Sequence, residues 1–401
     1  MTDSAQTLWA IHPTQLSKNS EWWTSSQADT IWSAQKNIDS PEKYLNYLLS
    51  LMVKYDSSDI YLTHGEPPSI RIYGEVRRLT SLPKLEDATL ESLCSVLMVS
   101  EDEKSFQEHM SCDTWYSLNG RRYRVNISSQ RWHKMIVIRL LAEKVPMIDD
   151  LWLPAIFKNL TKKTNWIIFV AWATWSWKST TLAAMIEEIN CIRPCHIITI
   201  EDPIEYIFEP KKAIFDQKQL DKDVTSFASA MKYAMRQRPD VILFGEARDP
   251  ESLRNAVALA ETGHLVLTTI HARSAEQTIN KIISMFPVDE QPTIKNQLAE
   301  NMTAIIIQRL LKRSDENSLI TAHEILINNK AVENIIRENK LNQLDNVIYT
   351  NRASWMQLLE DNLAELVDKW IISADVALFN ANDRERMKSN LKDLVQRGGG
   401  V

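Results

Sequence analysis

The stretch that most restricts how this chain can fold runs from Trp166 to Ile189. A short apolar run, WIIFVA (166–171), is followed by Trp172-Ala173-Thr174-Trp175-Ser176-Trp177-Lys178-Ser179-Thr180 and then by the helical pattern STTLAAMIEEI. Six apolar residues between loops are too few for a helix. Leading straight into one, they read as a buried strand feeding a helix. The same grammar returns in HIITI (196–200), VILF (241–244) and HLVLTTI (264–270), separated by helical stretches such as TSFASAMKYAMR. Apolar β-rich runs alternating with helices describe a parallel sheet covered on both faces, an α/β nucleotide-binding architecture.

Position for position, residues 172–180 spell GATGSGKST with each glycine written as tryptophan. The phosphate-binding loop GxxxxGK[ST] needs glycine for two reasons: its backbone takes φ values closed to other residues, and its N–H groups crowd against phosphates. Tryptophan fails on both counts, while the strand before and the helix after are as the motif requires. Three accounts are open: an accidental WKST, a non-hydrolysing relative whose loop has drifted, and glycine codons written as tryptophan. Drift scatters residue types, but here all three positions hold the same rare one. The composition agrees, with 8 Gly and 13 Trp in 401 residues, more Trp than Tyr or Phe. That is about 2% glycine, against about 7% in an average protein. The third account is favoured: UGA read as Trp where the source decodes it as Gly. UGG codons at these positions would exclude it.

The rest of the chain divides by pattern. Residues 1–40 are polar and without periodicity, an expected poorly ordered extension. From Pro41 to Leu141 a helix (PEKYLNYLLSLMVKY) precedes the alternating segments DIYLTHG, SIRIYGEVRRL, YRVNISSQR and KMIVIRLL, with the helical ATLESLCSVLM among them, a small α+β domain. Residues 142–150 read as a linker, 151–312 as the α/β core and 313–401 as a helical region that includes SWMQLLEDNLAELVDKWII. A net charge of -6 argues against a nucleic-acid surface. No apolar run spans a bilayer and no secretory signal opens the chain, so a cytoplasmic location is expected. Four cysteines are too few for a disulfide framework, and the Cys191/Cys195 pair lacks the second pair of a zinc site.

Four further motifs carry a resemblance. SSDIYLTHGEPPSIRIYGEVRRL, TIEDPIEY (199–206), DVILFGEARD (240–249) and ETGHLVLTTIHARSA (261–275) resemble, in order and spacing, the N-terminal opening, acidic box, Walker B strand and histidine box of the type IV pilus retraction ATPases, within the type II/IV secretion superfamily. The match runs from about Pro41 to about Asp375. Trp152, Trp166, Trp355 and Trp370 also fall where that family carries glycine, and Trp115 and Trp132 are further candidates. AVENIIREN (331–339) resembles the family's AIRNLIREG, departing at Glu333, an exposed helix position by expectation, and at Asn339.

The resemblance implies a PAS-like α+β domain, a RecA-like P-loop core with a parallel sheet, and a helical C-terminal region. It implies ATP and Mg2+ as ligands and a homo-hexameric ring docked peripherally on an inner-membrane pilus platform, with no direct nucleic-acid contact. The implied output is ATP-driven pilus retraction. Pilus assembly, conjugation or type IVB secretion, and a non-hydrolysing ring subunit are the alternatives. Lys178 would reach the β- and γ-phosphates, Ser179 and Glu246 would hold the metal, and Glu205 would act as general base beside Glu201 and Asp202. Residues 172–180 (Trp172, Ala173, Thr174, Trp175, Ser176, Trp177, Lys178, Ser179, Thr180) would cradle the nucleotide. His264 and His271 would sense the γ-phosphate. Arg122, Arg124 and Arg131 would bring guanidinium groups to the phosphates from the small domain, with Arg236 and Arg238 as weaker candidates.

Overall fold

The computed structural model describes residues 40–396 apart from 73, 142–143, 172–177 and 316–317, and of Lys178 it describes the backbone alone. The chain divides into two compact units, Met1–Leu141 and Ala142–Val401.

The first unit starts with a helix, Pro41–Lys54. Ser40 caps it by accepting the Lys43 amide at 3.3 Å, and Pro41 occupies a first-turn position where its missing N–H costs nothing. Six antiparallel strands follow: β1 (Asp59–Thr63), β2 (Ser69–Ile72), β3 (Glu75–Arg78), β4 (Ser111–Leu118), β5 (Arg121–Gln130) and β6 (His133–Leu140), in the spatial order β3-β2-β1-β6-β5-β4. Helices Asp87–Leu97 and Ser100–His109 lie between β3 and β4. Leu48, Met52, Ile60, Leu90 and Ile138 fill the core. SIRIYGEVRRL, expected as one segment, is two strands joined through Gly74 at φ +85. Strand β4 and the helix Ser100–His109 were not expected. SCDTWYSL is polar, and pairing with β5 makes it a strand.

The second unit is built on a seven-stranded sheet: β7 (Trp166–Ala171), β8 (His196–Glu201), β9 (Ile214–Gln219), β10 (Val241–Phe244), β11 (Leu265–Ile270), β12 (Met302–Lys312) and β13 (Leu319–Ile327), ordered β13-β12-β7-β11-β10-β8-β9. Every neighbouring pair is parallel except β12 with β13. The four expected strands are all present and almost wholly buried. One expectation needs correction: β13 belongs to this sheet, so a core ending at residue 312 cuts between two paired strands. LITAHEILI is buried on both faces and folds back antiparallel on β12, which a short connection permits. Helices do dominate after β13, but SWMQLLEDNLAELVDKWII is helical only over Leu359–Asp368 in its central part.

That helix stops at a tryptophan. Trp370 sits at φ +56, its amide bonding Val367 O at 2.9 Å while the Ile371 amide reaches Leu366 O at 2.9 Å, the paired hydrogen bonds of a Schellman ending that favours glycine. Trp132, Trp152, Trp166 and Trp355 also have φ between +56 and +76, and all five are exposed, Trp132 fully. Trp132 follows Arg131 (φ +48) in the two-residue turn between β5 and β6, which closes the Gln130–His133 pair. Both turn residues at positive φ is the hairpin geometry that selects glycine at its second place. A left-handed conformation costs an L-residue about 1–2 kcal/mol, so five of them cost about 5–10 kcal/mol, the same order as a domain's whole stability. Trp115 differs: it lies in regular β4, with the Arg122 guanidinium over its ring at 5.0 Å, and nothing there calls for glycine.

Candidate nucleotide site

The carboxyl ends of parallel strands are where ligands bind in sheets of this kind. Here β8 ends in Glu201, β10 is followed by Gly245 and Glu246, and β11 by His271, while six residues separate the end of β7 at Ala171 from the helix Lys178–Ile192. The register pairs Phe244 with both Ile200 and Thr268, and Ile270 with Ala171, so these ends form one edge.

Glu246 is largely enclosed and takes two partners. Its Oε2 accepts from Arg248 Nε at 2.8 Å, and its Oε1 lies 3.3 Å from His271 Nε2. Arg248 Nη1 also stands 3.6 Å from Asp202 Oδ2, joining the acidic segment to the Walker B position. Sequence reasoning missed Arg248; its signal was the arginine two residues beyond Glu246. Glu201 is buried, and its Oε1 accepts from the Thr199 hydroxyl at 2.8 Å. Burial, reinforced by the nearby Glu205 charge and opposed by that hydrogen bond, pushes its carboxyl up to about 7.

The first turn of the helix Lys178–Ile192 is anchored by its hydroxyls. Thr180 Oγ1 and Tyr206 Oη are 2.9 Å apart, and Thr181 Oγ1 donates to Gln308 Oε1 at 2.8 Å. Tyr206 O in turn accepts from Gln217 Nε2 on β9. Ser179 lies in this turn, half-buried. Trp172, Ala173, Thr174, Trp175, Ser176 and Trp177 lie outside the described residues.

His264 does not join this group. It precedes β11, at the opposite end of the strand from His271, about 23 Å away at about 3.3 Å per residue. Its Nδ1 lies 3.0 Å from both Leu259 O and Thr262 Oγ1, closing the end of the helix Pro250–Glu261. Arg236 and Arg238 precede β10 and so lie at that same remote edge. In the first unit, Arg122 and Arg124 do share one face of β5, with Arg124 Nη2 3.3 Å from Asp113 Oδ2. Arg131, in the turn at the far end of β5, lies about 30 Å from Arg122 at about 3.4 Å per residue, so the three are not one cluster. Cys191 and Cys195 are free thiols and belong to no metal-binding group among the described residues.

The sequence profile described as "Type II/IV secretion system protein" matches residues 34–398. The chain belongs to this family. It is 38% identical over 345 residues to a twitching motility protein of Neisseria gonorrhoeae, covering 84% of this chain and 92% of that one. It is 37% identical to the type IV pilus retraction ATPase PilT of Pseudomonas aeruginosa, covering 86% and 98%. The crystal structure of the pilus retraction motor PilT with bound ADP superposes with a TM-score of 0.78 at 35% identity, covering 85% of this chain and 98% of that one. The Legionella pneumophila ATPase DotB gives 0.75 at 25% identity, covering 85% and 95%. No helix among the described residues is long and apolar enough to cross a membrane.

Two departures from the family pattern take on physical meaning here. Glu333 is not exposed, as expected, but buried between two cations, with Lys330 Nζ at 2.9 Å and Arg337 Nη1 at 3.2 Å. Asn339 has φ +58 at the end of the helix Lys330–Arg337, where its amide bonds Ile336 O and the Lys340 amide bonds Ile335 O. Asparagine is the residue that best replaces glycine in that conformation.

Proposed function

We propose that this chain is a motor ATPase that forms a homo-hexameric ring at the cytoplasmic face of the inner membrane and hydrolyses ATP to drive type IV pilus retraction through a platform protein. The observation that carries this reading is the meeting of Glu246, His271, Arg248 and Asp202 on the strand edge that leads into the helix Lys178–Ile192. The donor set fits the ligands. Hydroxyl and carboxylate oxygens suit Mg2+, and a helix start offers N–H groups to phosphate. Ser179 and Glu246 would hold the metal ion, which when bound neutralises phosphate charge. Lys178 would bind the β- and γ-phosphates. Glu205 would take the proton of the attacking water. His271, beside Glu246, would report the state of the γ-phosphate. Arg122 and Arg124, on one strand face, would supply guanidinium groups to the phosphates. The motifs are shared with conjugation and type IVB secretion ATPases, which keeps such a motor as the second reading.

The same reading needs glycine at positions 172, 175 and 177. We infer that the working protein carries glycine there and at the five positive-φ positions 132, 152, 166, 355 and 370. The test is phosphate release by the chain with glycine at those eight positions. The expected result is Mg2+-dependent turnover that is lost on Lys178→Ala and on Glu205→Ala, with a hexamer in light scattering. A folded glycine chain with no turnover would overturn the motor reading. An intact mass of the native protein that retains all thirteen tryptophans would overturn the glycine inference and, with it, ATP turnover by the native chain.

A further inference from the structure

We propose that the first unit binds one divalent transition-metal ion, zinc being the reference case, through His64, Asp87 and His133. The three residues come from separate elements, each fixed by its backbone. His64 follows β1, bridges to Leu85, and is succeeded by Gly65, whose amide bonds Leu85 O at 2.8 Å. Asp87 opens the helix Asp87–Leu97. His133 opens β6, on the far side of the tight turn at Arg131-Trp132.

Asp87 Oδ1 lies 3.0 Å from His64 Nδ1 and 2.8 Å from His133 Nδ1, and its Oδ2 lies 3.0 Å from His133 Nδ1. One ligand atom from each residue falls within 4.8 Å of the other two, the sole such group of three among the described His, Cys, Asp and Glu residues. The imidazoles are stacked, with centroids 3.7 Å apart and planes 3° from parallel.

One observation points to a cation rather than to hydrogen bonding alone. His64 Nδ1 is buried, and despite the carboxylate oxygen 3.0 Å away it makes no aligned hydrogen bond, while His133 Nδ1 approaches the same oxygen at 2.8 Å. A buried polar atom without a partner is destabilising, and a coordinate bond along the imidazole lone pair would remove that cost.

Two nitrogens and one carboxylate select a borderline transition metal over Mg2+ or Ca2+, which take oxygen donors. Bond lengths of about 2.0–2.1 Å to each ligand need the two rings to tilt from parallel by a modest rotation. The half-exposed Asp87 side chain leaves the remaining positions to water. The ion would fasten the β5–β6 turn and the end of β1 to the start of the helix Asp87–Leu97. This site does not rest on the motor reading, because none of its residues belongs to the nucleotide site.

The test uses the full-length chain stripped with a chelator and titrated with Co2+, then Zn2+, in the absence of nucleotide. The expected result is one Co2+ per chain with visible absorption from nitrogen ligation, its displacement by Zn2+, and a melting temperature raised by Zn2+. His64→Asn and His133→Asn should each weaken binding by at least about tenfold while keeping the metal-free melting temperature and far-UV spectrum of the parent. Glu246→Gln should leave the cobalt signal intact, separating this site from the nucleotide edge. A His64→Asn/His133→Asn chain that binds Co2+ with the parent's affinity and spectrum would overturn the proposal, as would a parent that takes up no stoichiometric Co2+ or Zn2+.

Discussion

Glu246 Oε1 lies 3.3 Å from His271 Nε2 while its other oxygen accepts from Arg248, so a single carboxylate joins the ends of two neighbouring strands. Removing that charge should cost more than removing the histidine. Glu246→Gln is expected to lower turnover of the glycine-bearing chain by about 10²–10³, the scale of losing one charge-stabilising group. His271→Ala should lower it by about tenfold. His264→Ala, at the other end of β11, should leave turnover near the parent's. Steady-state phosphate release checks all three, and equal losses for the two histidines would contradict the geometry.

The five positive-φ tryptophans give a stability series. Each of Trp132→Gly, Trp152→Gly, Trp166→Gly, Trp355→Gly and Trp370→Gly should raise stability by about 0.5–1 kcal/mol, the relief of the left-handed conformation less the freedom glycine adds to the unfolded chain. Trp115→Gly should instead lower it by about 1 kcal/mol or more, since glycine weakens a strand and the ring under Arg122 is lost. Urea unfolding of the six variants reads out the contrast.

Burial raises the Glu201 carboxyl from 4.5 to about 7. The folded chain therefore holds this proton more tightly than the unfolded one. The associated stabilisation is complete below pH 4.5 and is lost as pH rises through 7. Glu201→Gln, which cannot ionise, should be more stable than the parent at pH 8 by up to about 3 kcal/mol, with the difference shrinking toward pH 5. Parallel unfolding curves across that range would detect it, and a pH-independent difference would contradict it.

Glu333 stands between Lys330 and Arg337 with little solvent access. Restoring the family's arginine through Glu333→Arg should destabilise the chain by about 1–3 kcal/mol, as a buried carboxylate is replaced by a third cation. Thermal melts at low and moderate salt check this, and added salt should narrow the gap.

The sequence alone determined the parallel-sheet architecture and the order of the motifs, since both are local. WIIFVA, HIITI, VILF and HLVLTTI are apolar along their whole length because they are buried on both faces. The Lys178 loop is legible because its strand and helix are adjacent in the chain. The resemblance also marked Trp152, Trp166, Trp355 and Trp370 as positions where the family carries glycine, and all four have positive φ. The tertiary structure decided everything that depends on partners distant in sequence. It placed β4 and β13, whose residues become strands through pairing with β5 and β12. It separated His264 from His271, which are seven residues apart in sequence yet at opposite edges of the sheet, because a strand carries its two ends apart. It brought Asp202 to Arg248, enclosed Glu333, and brought His64, Asp87 and His133 together from three elements. Periodicity reports which face a residue takes, whereas contacts across a sheet follow from strand order, which no local pattern encodes.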